Sequence, residues 1–377
     1  MVEALLSGWH YLWSFTVIIS VIVFIHEFGH YAVARLCGVK IDVFSIGFGR
    51  ELLGFTSKSG TRWKLSLLPF GGYVKMYGDA TAASTADTAL LEKMSDEEKR
   101  VSFHFKPLWQ KAAIVAAGPV ANFILTIAVF TYFIFTVGIA STEPVAGEVL
   151  KHSAAEAAGV KAGDRIVSIN GTKMKRFNDI PAYIITNTGT EITLNIDRKG
   201  TPVTITLIPK MVEEKDMLGN TNKRPLIGLK STQITRESVT IPQAIAEAMK
   251  NTYEMCHSSI KVLGQMISGN RSVEELKGPL GIAKMSGQVT QAGESPSETL
   301  HMILWFIALL SANLGMVNLF PIPMLDGGHL AYYSLEALRG KPVAERYMEW
   351  SYRIGFILLA TLMGFTLLND VRQLWLS

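Results

Sequence analysis

His26, Glu27 and His30 stand within five residues of one another, in His26-Glu27-Phe28-Gly29-His30, inside an otherwise apolar segment. On a helix, positions four apart share a face. Two imidazoles so placed can close on one zinc ion, with Glu27 beside them to take a proton from water. The alternative, that these are incidental polar residues of an apolar helix, is disfavoured because ionisable groups at membrane depth are costly. Two histidines leave a catalytic zinc one protein ligand short. The best carboxylate in another apolar segment is Asp326, in Asn318-Leu-Phe-Pro-Ile-Pro-Met-Leu-Asp-Gly-Gly-His329. Pro321 and Pro323 should break a helix there, and Gly327 and Gly328 should keep the backbone pliable. Broken helices are tolerated at membrane depth where they line a cavity in the protein. An ordinary helix stop at the membrane surface is the competing reading. His329 is a rival ligand, expected nearer the surface.

The elements that must position these residues are membrane helices. Of the 377 residues, 49% are hydrophobic and only 18% charged, against roughly a quarter charged in soluble domains. That balance excludes disorder and a disulfide scaffold. The net charge of +4 is small and dispersed, so no nucleic-acid partner is expected. Four apolar stretches, Tyr11–Ala34, Ala112–Ile139, Met302–Phe320 and about Ile354–Leu368, approach or exceed the length of a spanning helix. No Lys or Arg precedes Arg35 and no small-residue cleavage site follows the first stretch, so it reads as a retained helix, not a signal peptide. Arg35, Lys40 and Arg50, then Lys99, Arg100, Lys106 and Lys111, crowd the first loop, and Arg339, Lys341, Arg346 and Arg353 the third. Those loops are expected on the cytoplasmic side, with both termini and the long middle segment opposite. Glu27 and Asp326 then fall at the cytoplasmic ends of their helices, at one depth. Cys37 and Cys256 fall on opposite sides, so no disulfide joins them.

The remainder divides into smaller pieces. Within 140–230, a short helix and turn at Ala154–Asp164 precede a strand at Arg165–Asn170. Ile192, Leu194 and Ile196, then Val203, Ile205 and Leu207, alternate about a Lys199-Gly200 turn, the pattern of a hairpin with one buried face. The pattern resembles a PDZ domain, which implies binding of peptide or protein tails at a sheet edge; a generic spacer domain is the alternative. Val43–Tyr77 reads as β-hairpins, and Ala80–Asp87 as a flexible linker. Ile241, Ile245, Ala248, Thr252, Met255, Ser259, Leu263 and Met266 form a helical stripe for core packing or for the membrane surface.

HEFGH in a first membrane helix with NLFPIPMLDGGH in a later one resembles the site-2 protease family of intramembrane zinc metalloproteases. The match is to its bacterial branch, of the regulator of sigma-E protease type. Leu68–Lys75, Ala117–Asn122 and Lys277–Ile282 are similar to other family stretches. The resemblance implies His26, His30 and Asp326 as ligands of Zn2+, Glu27 as the base, and Asn318 as a hydrogen-bonding contact for substrate backbone. It also implies a membrane-associated β-loop that offers an edge to extended substrate. Substrates would be single-span transmembrane proteins, such as anti-sigma factors or remnant signal peptides, cut in the bilayer of the bacterial inner membrane. Asn122, Ser311, Asn313 and Asn318 are polar groups that could line a route for water. A non-enzymatic scaffold with a structural zinc is the rival, weakened because structural zinc sites are usually closed by four protein ligands.

The expected fold is therefore an α-helical polytopic membrane protein with four transmembrane helices, an inserted α+β PDZ-like domain and a membrane-associated β-hairpin region. In chain order it comprises a first span over 1–36, a cytoplasmic β-loop and linker over 37–111 and a second span over 112–139. The PDZ-like domain follows over 140–230, then an amphipathic helix and connector over 231–299 on the periplasmic side. A third span over 300–330 and a cytoplasmic loop with the fourth span over 331–377 complete it.

Overall fold

The computed structural model describes residues 2–81, 87–141, 143–187, 190–215, 221–231, 235–341 and 343–376. Most of the expected linker, 82–86, lies outside the described residues. Helices in chain order are α1 (Val2–Leu36), α2 (Thr88–Leu91), α3 (Asp96–Val101), α4 (Leu108–Val137), α5 (Ala154–Ala157), α6 (Asp179–Thr186), α7 (Ile241–Ile267), α8 (Pro279–Gln291), α9 (Pro296–Asn318), α10 (Asp326–Arg339) and α11 (Glu345–Leu376). Among the described residues, four helices are long and apolar enough to cross a membrane: Gly8–Leu36, Leu108–Val137, Pro296–Asn318 and Arg346–Gln373. Each expected apolar stretch falls on one of them. The second ends at Val137, short of Ile139, because Gly138 turns the backbone to a φ of 80°. The fourth runs well beyond its apolar stretch because its polar end is satisfied. Asn369 donates to the carbonyls of Glu274 and Leu276, and Asp370 accepts the N–H groups of Gly278 and Gly281 at the start of α8.

The chain forms two compact units, Met1–Val129 with Glu274–Ser377, and Phe130–Val273. In the first, β1 (Ile41–Thr56) and β2 (Arg62–Met76) make one long antiparallel hairpin. It bends back on itself at Gly47 and Gly49, whose φ values of 83° and 86° a side chain would resist. Residues 43–46 are consequently paired on both sides, with 72–75 and with 62–65. Phe44, Val74 and Met76 bury against Ala34, Ile114 and Val115, fixing the hairpin to α1 and α4.

The second unit is an α+β domain. Its strands are β3 (Ile139–Ser141), β4 (Ala146–Val149), β5 (Arg165–Ile169), β6 (Thr172–Lys173), β7 (Ile192–Arg198), β8 (Thr201–Leu207), β9 (Lys210–Lys215), β10 (Thr221–Leu226), β11 (Leu229–Ser231) and β12 (Thr235–Glu237). Four form a sheet in the order β6-β5-β7-β8, and β11 pairs with β4. Ile192, Leu194 and Ile196 are buried as the alternation requires, and the turn takes positive φ at Lys199 and Gly200, which suits the twist of a two-residue hairpin. On α7 the expected stripe is buried or half-buried from Ala248 to Met266 and departs from expectation only at its start. Ala244, Ala248, Thr252 and Met266 are buried, whereas Ile241 and Ile245 are exposed with Met249, Tyr253 and Ile260. Toward its end, Lys261 donates to the Asn187 side chain and Gln265 to the Thr186 carbonyl at the end of α6.

Asp164 is buried at the entry to β5, where it accepts two bonds from the Arg198 guanidinium and one from the Lys161 N–H. Burial pushes its carboxyl upward, but these donors outweigh it and hold it below the usual value. A carboxyl held low stabilises the fold fully above its unfolded value, about 4, and that contribution is lost as the pH falls through the folded value. Hydrogen-exchange protection of β5, corrected for intrinsic rates, should therefore fall in the wild type below about pH 4. Asp164→Asn should show reduced protection already at neutral pH and no comparable acid loss; an acid loss matching wild type would refute this.

Candidate metal centre

α1 presents its two histidines on one face, with Nε2 of His26 and Nε2 of His30 only 3.3 Å apart. Asp326 meets them from another element, its Oδ2 3.2 Å from His26 Nε2 and its Oδ1 3.6 Å from His30 Nε2. Ligand atoms of all three lie within 4.8 Å of one another. Despite the short approach to His26, Asp326 Oδ2 is buried without a hydrogen bond of acceptable geometry. Two imidazole nitrogens and a carboxylate oxygen facing one point are a donor set for zinc, and three protein ligands leave a position for water. The residues fit the metal.

Asp326 arrives there because α9 stops. Its last residue is Asn318, and neither Pro321 nor Pro323 has an N–H with which to continue a helix. Met324 takes a φ of 80°, a left-handed conformation a non-glycine residue rarely adopts, and the chain restarts as α10 with Asp326 as its first residue. The adjoining glycines serve close packing, not pliability as expected. A Cβ on Gly327 would lie 2.2 Å from the Phe320 carbonyl oxygen, and one on Gly328 would lie 2.4 Å from that of Ile322. Gly355 of α11 closes the loop from outside; its Cβ would lie 2.4 Å from the Pro323 carbonyl oxygen. The break is thus clamped between its own helix and the last one.

α4 supports the histidines from behind. His30 Nδ1 lies 2.9 Å from the Ile114 carbonyl, and His26 Nδ1 lies 3.2 Å from the Asn122 amide. Between them Gly118 leaves the rings their space, since a Cβ there would lie 2.3 Å from His30 Nε2. Gly29 of α1 answers it, lying close to the Ala117 carbonyl, so the helices cross at near backbone contact. Glu27 is covered by the hairpin: a Cβ on Gly72 would lie 2.9 Å from Glu27 Cγ.

The other sequence candidates are distributed differently. His329 stays out of the cluster, its ring packed near Tyr333 and Tyr352. Asn318 ends α9 beside the loop that delivers Asp326. Asn122 and Ser311 do not line a route for water: both are fully buried, and Ser311 donates to the Asn122 carbonyl. Asn313 donates within its own helix to Leu309. Sequence reasoning missed Ile114, Gly118, Gly72 and Gly355. Small residues at 117, 118 and 121 within an apolar helix were the available sign of a close crossing.

The family model described as Peptidase family M50 matches residues 14–362, a span that includes all of these side chains. The chain belongs to this family. A relative in Agrobacterium fabrum that carries the name zinc metalloprotease is 40% identical over 368 residues, 97% of this chain and 96% of that protein. One in Rickettsia conorii, similarly named, is 38% identical over 96% of this chain and 98% of its own. Metalloprotease MmpA of Caulobacter vibrioides is 36% identical over 96% of this chain and 95% of its own. This M50 protein is accordingly a zinc metalloprotease with four candidate membrane spans, and the non-enzymatic scaffold is set aside.

Gly118 offers a direct test of the crossing. Gly118→Ala should displace the His30 ring by an ångström or more and lower turnover by about 100-fold or more, with zinc lost and helical content by circular dichroism unchanged. Wild-type zinc content and turnover in this variant would contradict the packing described.

Proposed function

We propose that His26, His30 and Asp326 hold the catalytic zinc, that Glu27 is the general base, and that the enzyme cuts single-span membrane proteins within or near their spanning segments. The observation that carries this reading is the convergence of the three ligand atoms, two from a helix apolar enough to cross a membrane and the third from the restart that follows the end of another. When bound, zinc polarises the scissile carbonyl and acidifies water toward a pKa of about 7. Glu27, adjacent to His26, takes a proton from the attacking water and returns it to the leaving amine. Asn318, at the end of α9, holds the substrate backbone.

A substrate helix hides its carbonyls in i to i−4 hydrogen bonds, so it must unwind before attack. An extended segment needs backbone partners in exchange. The hairpin strand 72–76 is suited to supply them, since its partner strand 41–46 lies on one side and Gly72 rests on the Glu27 stem. The basic loops favour an active site toward the cytoplasmic face of the bacterial inner membrane, with the termini and the α+β domain periplasmic. That domain acts as a PDZ-like module for peptide tails. Anti-sigma factors already trimmed by another protease and remnant signal peptides are suitable substrates, being short single spans.

The experiment is cleavage of a single-span model substrate by purified protein in detergent, with bound zinc quantified. Glu27→Gln should retain zinc and lose about 10²- to 10⁴-fold in rate. Asp326→Asn should lose both zinc and cutting. Glu27→Gln cutting as fast as wild type would end the base assignment, and full zinc in Asp326→Asn the ligand assignment.

A further inference from the structure

The two histidines are supported unequally. His30 directs Nδ1 to a backbone carbonyl, that of Ile114. His26 directs Nδ1 to a side chain, the amide of Asn122, whose nitrogen Nδ2 lies 3.2 Å away. An amide fully buried in an apolar helix is costly unless hydrogen-bonded. Among the described residues the Asn122 side chain has one such partner, His26; its Oδ1 is buried with none.

Its placement is rigid. The Asn122 carbonyl accepts from Ser311 Oγ at 3.1 Å and from Thr126 Oγ1 at 3.0 Å, and Thr126 also reaches the Ala308 carbonyl of α9. Gly315 brings α9 close enough that a Cβ there would lie 3.2 Å from Asn122 Cβ. The residue is therefore pressed toward His26 from behind.

We infer that Asn122 is a positioning residue that fixes the tautomer and ring orientation of His26; the inference rests on the zinc reading above. Both Nε2 atoms face Asp326, so an imidazole offering Nε2 to the metal carries its proton on Nδ1 and needs an acceptor there. The Ile114 carbonyl is that acceptor for His30. For His26 it is the Asn122 amide oxygen, brought to Nδ1 by a half-turn about the Cβ–Cγ bond, which exchanges the two amide ends in nearly the same space. A carboxylate at 122 would accept the same bond; an apolar side chain of equal size would not.

The test uses the full-length protein in detergent, as wild type, Asn122→Leu, Asn122→Asp and Asp326→Asn. Zinc is titrated away with a chromophoric chelator, and the visible spectrum of the cobalt-substituted protein is recorded. Asn122→Leu should release zinc at roughly 10- to 100-fold lower chelator concentration, with an altered cobalt spectrum. Asn122→Asp should hold zinc as wild type does and keep its spectrum. Wild-type retention by Asn122→Leu would overturn the inference. So would loss in Asn122→Asp equal to that in Asn122→Leu, because the amide would then matter only as packing. Should Asn122→Leu not fold, Asn122→Asp decides alone: retention supports the acceptor role and loss overturns it. Zinc held equally by wild type and Asp326→Asn would instead remove the metal site on which the inference rests.

Discussion

Two imidazoles and a carboxylate meet at 3.2–3.6 Å among membrane-type helices, where polar groups without partners are expensive. Most of the surrounding architecture can be traced to that one constraint. Each imidazole is held on its outer nitrogen by α4, and the carboxylate is placed by a helix restart whose first residue it is. A cation bound there would complete the arrangement electrostatically, giving the converging lone pairs a common partner. The inner atoms are directed at one point and the outer atoms are already bonded, which is the preorganisation that catalytic metal sites need.

Close approach of backbones is the means. Gly29 and Gly118 bring α1 and α4 together, Gly315 brings α9 to α4, and Gly327, Gly328 and Gly355 press the loop after α9 into shape. At Gly315 a methyl group would be tightly fitted, and at each of the other positions it would collide with a carbonyl, a ring or a side chain. Apolar burial drives little association between helices in lipid, so small residues and interhelical hydrogen bonds take its place. The bonds of Thr126 to Ala308 and of Ser311 to Asn122 are of that kind. The same logic appears away from the metal, where the Asp370 carboxylate binds the first turn of α8.

The chemistry was legible in the sequence where it was local. His26 and His30 are four residues apart on a helix, so their shared face follows from helical geometry alone. Asp326 could be found at long range only because carboxylates are scarce in apolar segments. Which face of α4 meets α1 is not a local property, so Asn122 read as a polar group for water when it is bonded to His26. Gly327 and Gly328 read as pliable because glycine has several uses, and choosing among them requires the carbonyls of Leu319, Phe320 and Ile322 nearby. On α7 the apolar period put Ala248, Thr252 and Met266 on the buried face, as found, but also Ile241 and Ile245, which are exposed. The hairpin of 41–76 was readable as strands; its fold-back depended on positive φ at Gly47 and Gly49.

The central claim concerns the coordination sphere itself, which X-ray absorption at the zinc edge measures directly in the purified protein. The account predicts one zinc per chain with two imidazole nitrogens and oxygen ligands at about 2.0–2.2 Å, and no sulfur shell near 2.3 Å. In Asp326→Asn any residual zinc should show a changed oxygen shell. A sulfur shell, or a closed sphere of four protein ligands unaffected by Asp326→Asn, would contradict the account.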